Sequence, residues 1–239
     1  MFAAAYGSET PMGRPFYSAG ATSATARSFR AKAYGIRGAV LAATGVSDHG
    51  AFCRALEERL AEAEVGTGAA TPSAASYLAG EVRTHVPSMA IAHVALVFKA
   101  PTGSFVSQVL KECLSLQGTS AFAFSAGGLI GTYGSDVDAM CSALTTKPSA
   151  QIIQRAKQLA KAKAVFSYES GSQALARSMT SQVLETGSFD AAGAAYDKIT
   201  DAEVTKAYDA MVSSGLSLAA IGNLTHVPYK GTLASRFSS

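Results

Sequence analysis

The segment at residues 90–100, AIAHVALVFKA, is strongly apolar and limits the possible folds more than any other stretch of the chain. A run of this kind reads as a strand that needs cover on its faces. It is far shorter than the roughly eighteen apolar residues that span a bilayer. No apolar run elsewhere approaches that length, so any membrane association is expected to go through partner proteins. With 239 residues, 48% of them hydrophobic and only 15% charged, the chain is long enough for one large or two smaller α/β domains with their own cores. Its aliphatic content rests mostly on Ala and it has no Trp, which favours close-packed helices and short strands over an aromatic-lined pocket.

The surroundings of that strand give the order of elements. Residues 77–86 read as a partner strand, joined to 90–100 through a turn at Pro87. Residues 103–116 place Phe105, Val109, Leu110 and Cys113 at helical spacing. Residues 121–125 and 129–133 then form a hairpin around Ala126, Gly127 and Gly128. Helices follow at 136–144, 150–168 and 172–185, the last carrying Leu175, Met179 and Val183 on one stripe and Gly187 as its stop. Thr200-Asp201-Ala202-Glu203 has the form of a capping box and opens a fourth helix that turns Val204, Ala207, Tyr208 and Met211 inward. Residues 216–221 close the unit as a strand, and the tail from Asn223 is expected to be extended. This succession predicts an α+β fold, an antiparallel sheet with helices packed on one face.

Upstream, residues 38–44 (GAVLAAT) read as a buried strand. A helix follows, capped by Ser47 or Asp48, with Phe52, Leu56, Leu60 and Ala63 on one side. Residues 65–76 (VGTGAATPSAAS) lack charge and apolar period and read as a linker. The expected division is therefore a partial domain at 1–64, a linker at 65–76 and a complete domain at 77–239.

The first forty residues admit two readings. Arg14, Arg27, Arg30, Lys32 and Arg37 stand against one acid, Glu9, amid many Ala and Ser, the composition of a mitochondrial transit peptide. Against that, Pro11, Gly13, Pro15 and Gly20 punctuate a loop, and 21–34 reads as a short helix. The folded reading is preferred.

Net charge is +3 with a pI near 8.7, well short of the concentrated basic surface of a nucleic-acid binder, so no nucleic-acid partner is expected. Lys147, Arg155, Lys157, Lys161 and Lys163 share a helix with apolar Ile152, Ile153, Ala156 and Leu159 and read as its solvated face. Cys53, Cys113 and Cys141 are odd in number and far apart, without a C-x-x-C pair. They point to a reducing compartment and to core thiols at apolar helix positions.

The search for chemistry yields no catalytic, cofactor-binding or metal-ligating residues. His49, His85, His93 and His226 fall in no H-E-x-x-H or H-x-x-E-H pattern. No G-x-S-x-G elbow is present. The glycine-rich FSAGGLIGTYG at 124–134 lacks the G-K-[ST] ending of a phosphate loop. It reads as a hairpin turn in which Gly131 permits close backbone approach. No Cys or His pattern suits haem or an iron–sulfur centre.

Several stretches carry a family resemblance. SLAAIGNLTHVP at 217–228, YLAGEVR at 77–83, HVALV at 93–97, Ser120-Ala121-Phe122 with Gly128-Leu129-Ile130-Gly131, and the helix at 171–188 resemble the second domain of the core protein 2 family of respiratory complex III, the cytochrome bc complex. Ala3-Ala4-Ala5-Tyr6, residues 10–15 and Gly45-Val46-Ser47 resemble the last part of that family's first domain. The family belongs with the pitrilysin-type metallopeptidases and the processing-peptidase subunits. The resemblance implies paired α+β domains of processing-peptidase-like fold and a non-catalytic, structural role. It implies partners in a dimeric complex, among them core protein 1, cytochrome b and the Rieske protein, at the matrix side of the mitochondrial inner membrane. In active relatives the zinc motif lies in the N-terminal domain, most of which is not in this chain. That N-terminal half, as a separate polypeptide or an unshown part of this one, is therefore expected as a partner docked against residues 1–65. The glycine-rich substrate loop of the regulatory processing subunit is also missing, since Leu116-Gln117-Gly118 runs almost directly into the hairpin. A non-catalytic subunit of a processing peptidase is the alternative.

Overall fold

The apolar run at 90–100 becomes the central strand of a five-stranded sheet in the computed structural model, which describes residues 1–15, 20–36, 38–61, 75–118, 122–190 and 193–237. The strands are β1 (Glu81–His85), β2 (Ala92–Lys99), β3 (Phe122–Ala126), β4 (Leu129–Gly134) and β5 (Ser217–Gly222), in the order β1-β5-β2-β4-β3. The helices are α1 (Phe2–Tyr6), α2 (Ser23–Ala33), α3 (His49–Leu60), α4 (Ser104–Gln117), α5 (Val137–Thr145), α6 (Ala150–Glu169), α7 (Ser172–Thr186), α8 (Ala194–Lys198), α9 (Asp201–Ser213) and α10 (Lys230–Ala234). The fold is α+β, with the principal helices on one face of the sheet. Three of the strand pairings are antiparallel, and β1 against β5 is parallel.

That parallel pair corrects one expectation. β1 and β2 do not form a hairpin through Pro87, because β5 lies between them and pairs with both. The 86–91 connection passes the end of β5 at Gly222, whose carbonyl accepts from the Val86 N–H at 2.9 Å. A Cβ on Gly222 would stand 2.3 Å from the Ile91 carbonyl oxygen, so the crossing needs a residue without a side chain.

The chain divides into two compact units. One comprises Met1–Phe16, Ala75–Lys163 and Gly193–Ser239, the other Tyr17–Ala74 and Ala164–Ala192. One boundary between the units falls at Ala74 and Ala75, inside the expected linker, and residues 62–74 lie outside the described residues. Residues 1–16 join the sheet unit because their backbone bonds to it: the Leu78 N–H donates to the Ala5 carbonyl at 2.7 Å and the Gly80 N–H to that of Ala4 at 2.9 Å.

Strand alternation sorts the sheet unit's core. Val94, Leu96 and Phe98 of β2, Ile130 of β4 and Leu218 of β5 are fully buried on the helical side. Val109, Leu110, Cys113 and Leu114 of α4, Met140 and Leu144 of α5, and Val204 and Met211 of α9 are fully buried with them. The capping box forms as read: Thr200 Oγ1 accepts from the Glu203 N–H, and the Glu203 carboxylate accepts from the Thr200 N–H at 2.7 Å. The tail is not extended throughout, since α10 and a 3₁₀ turn at Ser235–Phe237 fold back and set Phe237 edge-on to Phe98 at 5.2 Å.

The second unit holds α2, α3, α7 and the end of α6, and none of its described residues is buried. Residues 38–44 are not a strand, a second correction. An apolar run becomes a strand only with a neighbour to take its backbone bonds, and the sheet supplies none here. Instead Leu41 lines a shallow apolar groove of about 430 Å³ with Cys53, Leu56 and Leu60 of α3. Asp48 caps that helix, accepting from the Ala51 N–H at 2.9 Å. Gly187 ends α7 in the left-handed region at φ 77°.

Candidate functional site

The face of the sheet opposite the helices carries every second residue of each strand. By register these are Val82 and Thr84 of β1, Ser217, Ala219 and Ile221 of β5, His93, Ala95, Val97 and Lys99 of β2, Leu129, Gly131 and Tyr133 of β4, and Phe122, Phe124 and Ala126 of β3. One end of this face is closed. Ala5 and Tyr6 of α1 pack with Val97 and Leu129, supported by Met1, Phe2, Tyr77 and Phe124. The Tyr6 hydroxyl donates to the Gly127 carbonyl at 3.2 Å. Tyr77 is fixed from below, its hydroxyl within hydrogen-bond distance of the Val97 and Gly215 carbonyls at 3.0 and 2.8 Å while Ser217 Oγ stands at 2.9 Å.

The other end is bare. Val82, Thr84, His93, Phe122, Tyr133 and Ile221 surround an open apolar groove of about 720 Å³. Phe122 is 69% exposed and Ile221 46%, although both are strand residues of an ordered sheet. The groove's polar feature is a pair: His93 Nδ1 lies 2.7 Å from the Tyr133 hydroxyl, and the two rings stack at 6.0 Å. Such a surface has the chemistry of an interface, with apolar area and two groups able to exchange hydrogen bonds, and no charged side chain in its lining.

The remaining histidines are dispersed. His49 contacts Cys53 Sγ at 3.6 Å one turn along α3. His85 Nδ1 accepts from the Leu224 N–H at 3.3 Å, and His226 is exposed in the tail. No group of three His, Cys, Asp or Glu side chains able to hold a metal occurs among the described residues. Cys113 and Cys141 are buried, as their helix positions imply, whereas Cys53 is only half-buried, since no described residue of its unit covers α3 fully. Burial, aided by the neighbouring Glu112 charge, pushes the Cys113 thiol up to about 12. Burial also raises the Cys141 thiol.

One buried acid was not singled out by its sequence context. Glu112 is 2% exposed on α4, with Lys111 Nζ at 2.8 Å and Lys163 Nζ at 2.6 Å. Burial alone would push its carboxyl up, but the two ammonium groups together outweigh that and hold it below the usual carboxylate range. The clamp ties α4 to α6 and leaves no spare carboxylate for chemistry. The glycine hairpin is structural as well: Gly127 and Gly128 take φ of 58° and 75°, and a Cβ on Gly131 would meet the Leu96 carbonyl oxygen at 2.0 Å. The signal for the covered half of the face was present in Gly80, where a Cβ would stand 2.6 Å from the Ala4 carbonyl oxygen. Among the described residues no helix is long and apolar enough to cross a membrane.

No protein-family model matches the sequence, and no curated protein sequence does. The fold does have counterparts among solved structures. A chain in a structure of complex III2 from Candida albicans, determined with Inz-5 bound, is similar over 80% of this chain with a TM-score of 0.64 and 17% sequence identity. The match spans 56% of that chain, little more than half of its length. At this identity the likeness is one of fold, and it places the open-faced α+β sheet in an architecture that also occurs within a respiratory complex.

Proposed function

We propose that this chain is a non-catalytic structural subunit of mitochondrial respiratory complex III, a counterpart of the C-terminal part of core protein 2 with processing-peptidase-like architecture. The observation that carries this reading is the similarity of fold over 80% of the chain to a chain of complex III2. The bare sheet face supports it, since an exposed apolar surface of this kind marks a contact with another protein. In this role the chain sits peripherally at the matrix side of the inner membrane, alongside core protein 1, cytochrome b and the Rieske protein in a dimeric assembly. The subunit contributes no metal, haem or nucleophile of its own. Affinity capture of the tagged chain from native membranes, followed by mass spectrometry, tests the proposal. Cytochrome b and a Rieske protein in the same particle are the expected result, and their absence from an intact particle would overturn it.

A second reading, a non-catalytic subunit of a processing peptidase, is favoured by the groove beside Phe122, which has room for an extended segment next to the outer edge of β3. Zinc-dependent presequence cleavage by the captured particle, without cytochrome b, would select it.

A further inference from the structure

The basic segment near the N-terminus is not accounted for by a structural role in the sheet unit. Its folded part is α2, an eleven-residue helix that contains three cations, Arg27, Arg30 and Lys32, and no acid. From Glu9 to Asp48 the sequence has no acidic residue. Every side chain of α2 is exposed or nearly so, and none is buried. Arg27 and Arg30 make no ion pair among the described residues.

The helix is also two-sided. Ala26, Phe29 and Ala33 recur at i, i+3 and i+7 and form one apolar stripe, and Arg30 and Lys32 fall on either side of it. Phe29 is 59% exposed and Tyr34, just beyond the helix, 70% exposed, yet their rings meet edge to face at 6.2 Å. Two aromatic side chains thus stand together in water beside unpaired guanidinium groups. Helices with an aromatic apolar stripe bordered by Arg and Lys lie flat in the headgroup region of a bilayer, where the apolar stripe enters the acyl boundary and the long cationic stems reach back to phosphates.

We infer that α2 is a bilayer-surface contact, in which Arg27 and Arg30 engage the phosphates of an anionic membrane and Phe29 with Tyr34 inserts at the interface. The charge complementarity selects the occupant: a zwitterionic surface or a purely apolar groove would leave the Arg27 and Arg30 guanidinium groups without a counterpart. The contact is direct, unlike attachment through other subunits, and stands whether or not the chain belongs to complex III.

The absence of Trp from the chain makes a clean test possible. In the full-length protein, Phe29→Trp introduces a single indole at the proposed insertion point. Titration with phosphatidylcholine vesicles containing phosphatidylglycerol should shift its emission to the blue, and brominated acyl chains should quench it. Vesicles of phosphatidylcholine alone should do neither. Adding Arg27→Gln and Arg30→Gln should weaken binding by about tenfold or more, and raising salt should do the same. Lys206→Gln on α9, in the sheet unit, should leave it unchanged. An emission spectrum unaltered by anionic vesicles would overturn the inference, as would binding that survives the double substitution. A shift produced only by an acidic polypeptide such as polyglutamate would also overturn it, in favour of a protein partner. Because the readout sits on α2 itself, a variant that misfolds in the sheet unit is recognised by circular dichroism and not mistaken for loss of binding.

Discussion

The Lys163 ammonium stands 2.6 Å from a carboxylate oxygen of Glu112, and the two residues come from helices more than thirty positions apart in the chain. Lys111 holds the other oxygen at 2.8 Å. Since Glu112 is buried and both lysines are partly exposed, the costs of removing the partners are unequal. Replacing both lysines with Met should strand a buried carboxylate and destabilise the protein by about 3–5 kcal/mol. Glu112→Gln should cost less, because the released ammonium groups return to water. Urea unfolding of the three proteins checks the order.

The same acid sets a pH limit. Its folded carboxyl titrates below the ordinary 4.5, so the folded state binds that proton less readily than the unfolded chain. Its contribution to stability is complete above that pH and is lost as pH falls through the lowered folded value. A thermal-midpoint profile should therefore decline more steeply below about pH 4.5 for the natural protein than for Glu112→Gln.

Thiol reactivity should divide the cysteines. Cys113 stays protonated at any ordinary pH, its thiol raised to about 12, and Cys141 is buried and raised as well. Cys53 is half-buried in an open groove beside Leu41. Under native conditions iodoacetamide should modify Cys53 within the time that leaves Cys113 and Cys141 unlabelled, and all three should react in urea. Mass mapping of peptides reads the outcome. Because the Cys113 value is raised, the stability tied to it is present below the thiol's ordinary value of 9.0 and is lost as pH climbs above that value.

Gly131 and Gly231 make a matched pair of substitutions. An Ala at 131 would press its methyl group on the Leu96 carbonyl oxygen at 2.0 Å, between paired strands that cannot part without losing their hydrogen bonds. Its expected cost is about 3 kcal/mol or more. At Gly231, in α10, a Cβ meets nothing within 4 Å, and Gly231→Ala should be neutral or slightly stabilising by a few tenths of a kcal/mol. Denaturant midpoints measured side by side separate the two.

The bare sheet face predicts a split between stability and assembly. Phe122→Ser and Ile221→Ser alter strand side chains that are 69% and 46% exposed, so each should change stability by about 1 kcal/mol or less. If the face is a contact, the same changes should cut co-purification of partners severalfold. Melting curves and quantitative capture on the same variants provide both numbers.

Much of the sheet unit was readable because its signals are local. The capping box at Thr200 and Glu203, the glycine hairpin and the stop at Gly187 are each written in a few adjacent residues, and each occurs where the pattern placed it. Pairing is a different matter. Nothing in EVRTH says that its neighbour is 217–222 and not the strand that follows it, since hydrophobicity specifies burial but not the identity of the adjacent strand. The run at 38–44 misled for the same reason: its apolar residues meet α3, and no strand stands beside it. Helices α1, α8 and α10 have five residues each, too few for a period of 3.6 to declare itself. As for the candidate site, the strand residues were visible individually, but their gathering on one open face depended on a register that only the folded sheet supplies.

The position of β5 has a further consequence, in time. β1 meets the rest of the sheet only through residues 217–222, which the ribosome makes after β1, β2 and the hairpin are already in existence. Until then β1 has no strand partner among the described residues, and one edge of the most apolar strand stays unfilled. The sheet must therefore wait for its own middle, an order of assembly that leaves an unpaired strand edge open until residues 217–222 have been made.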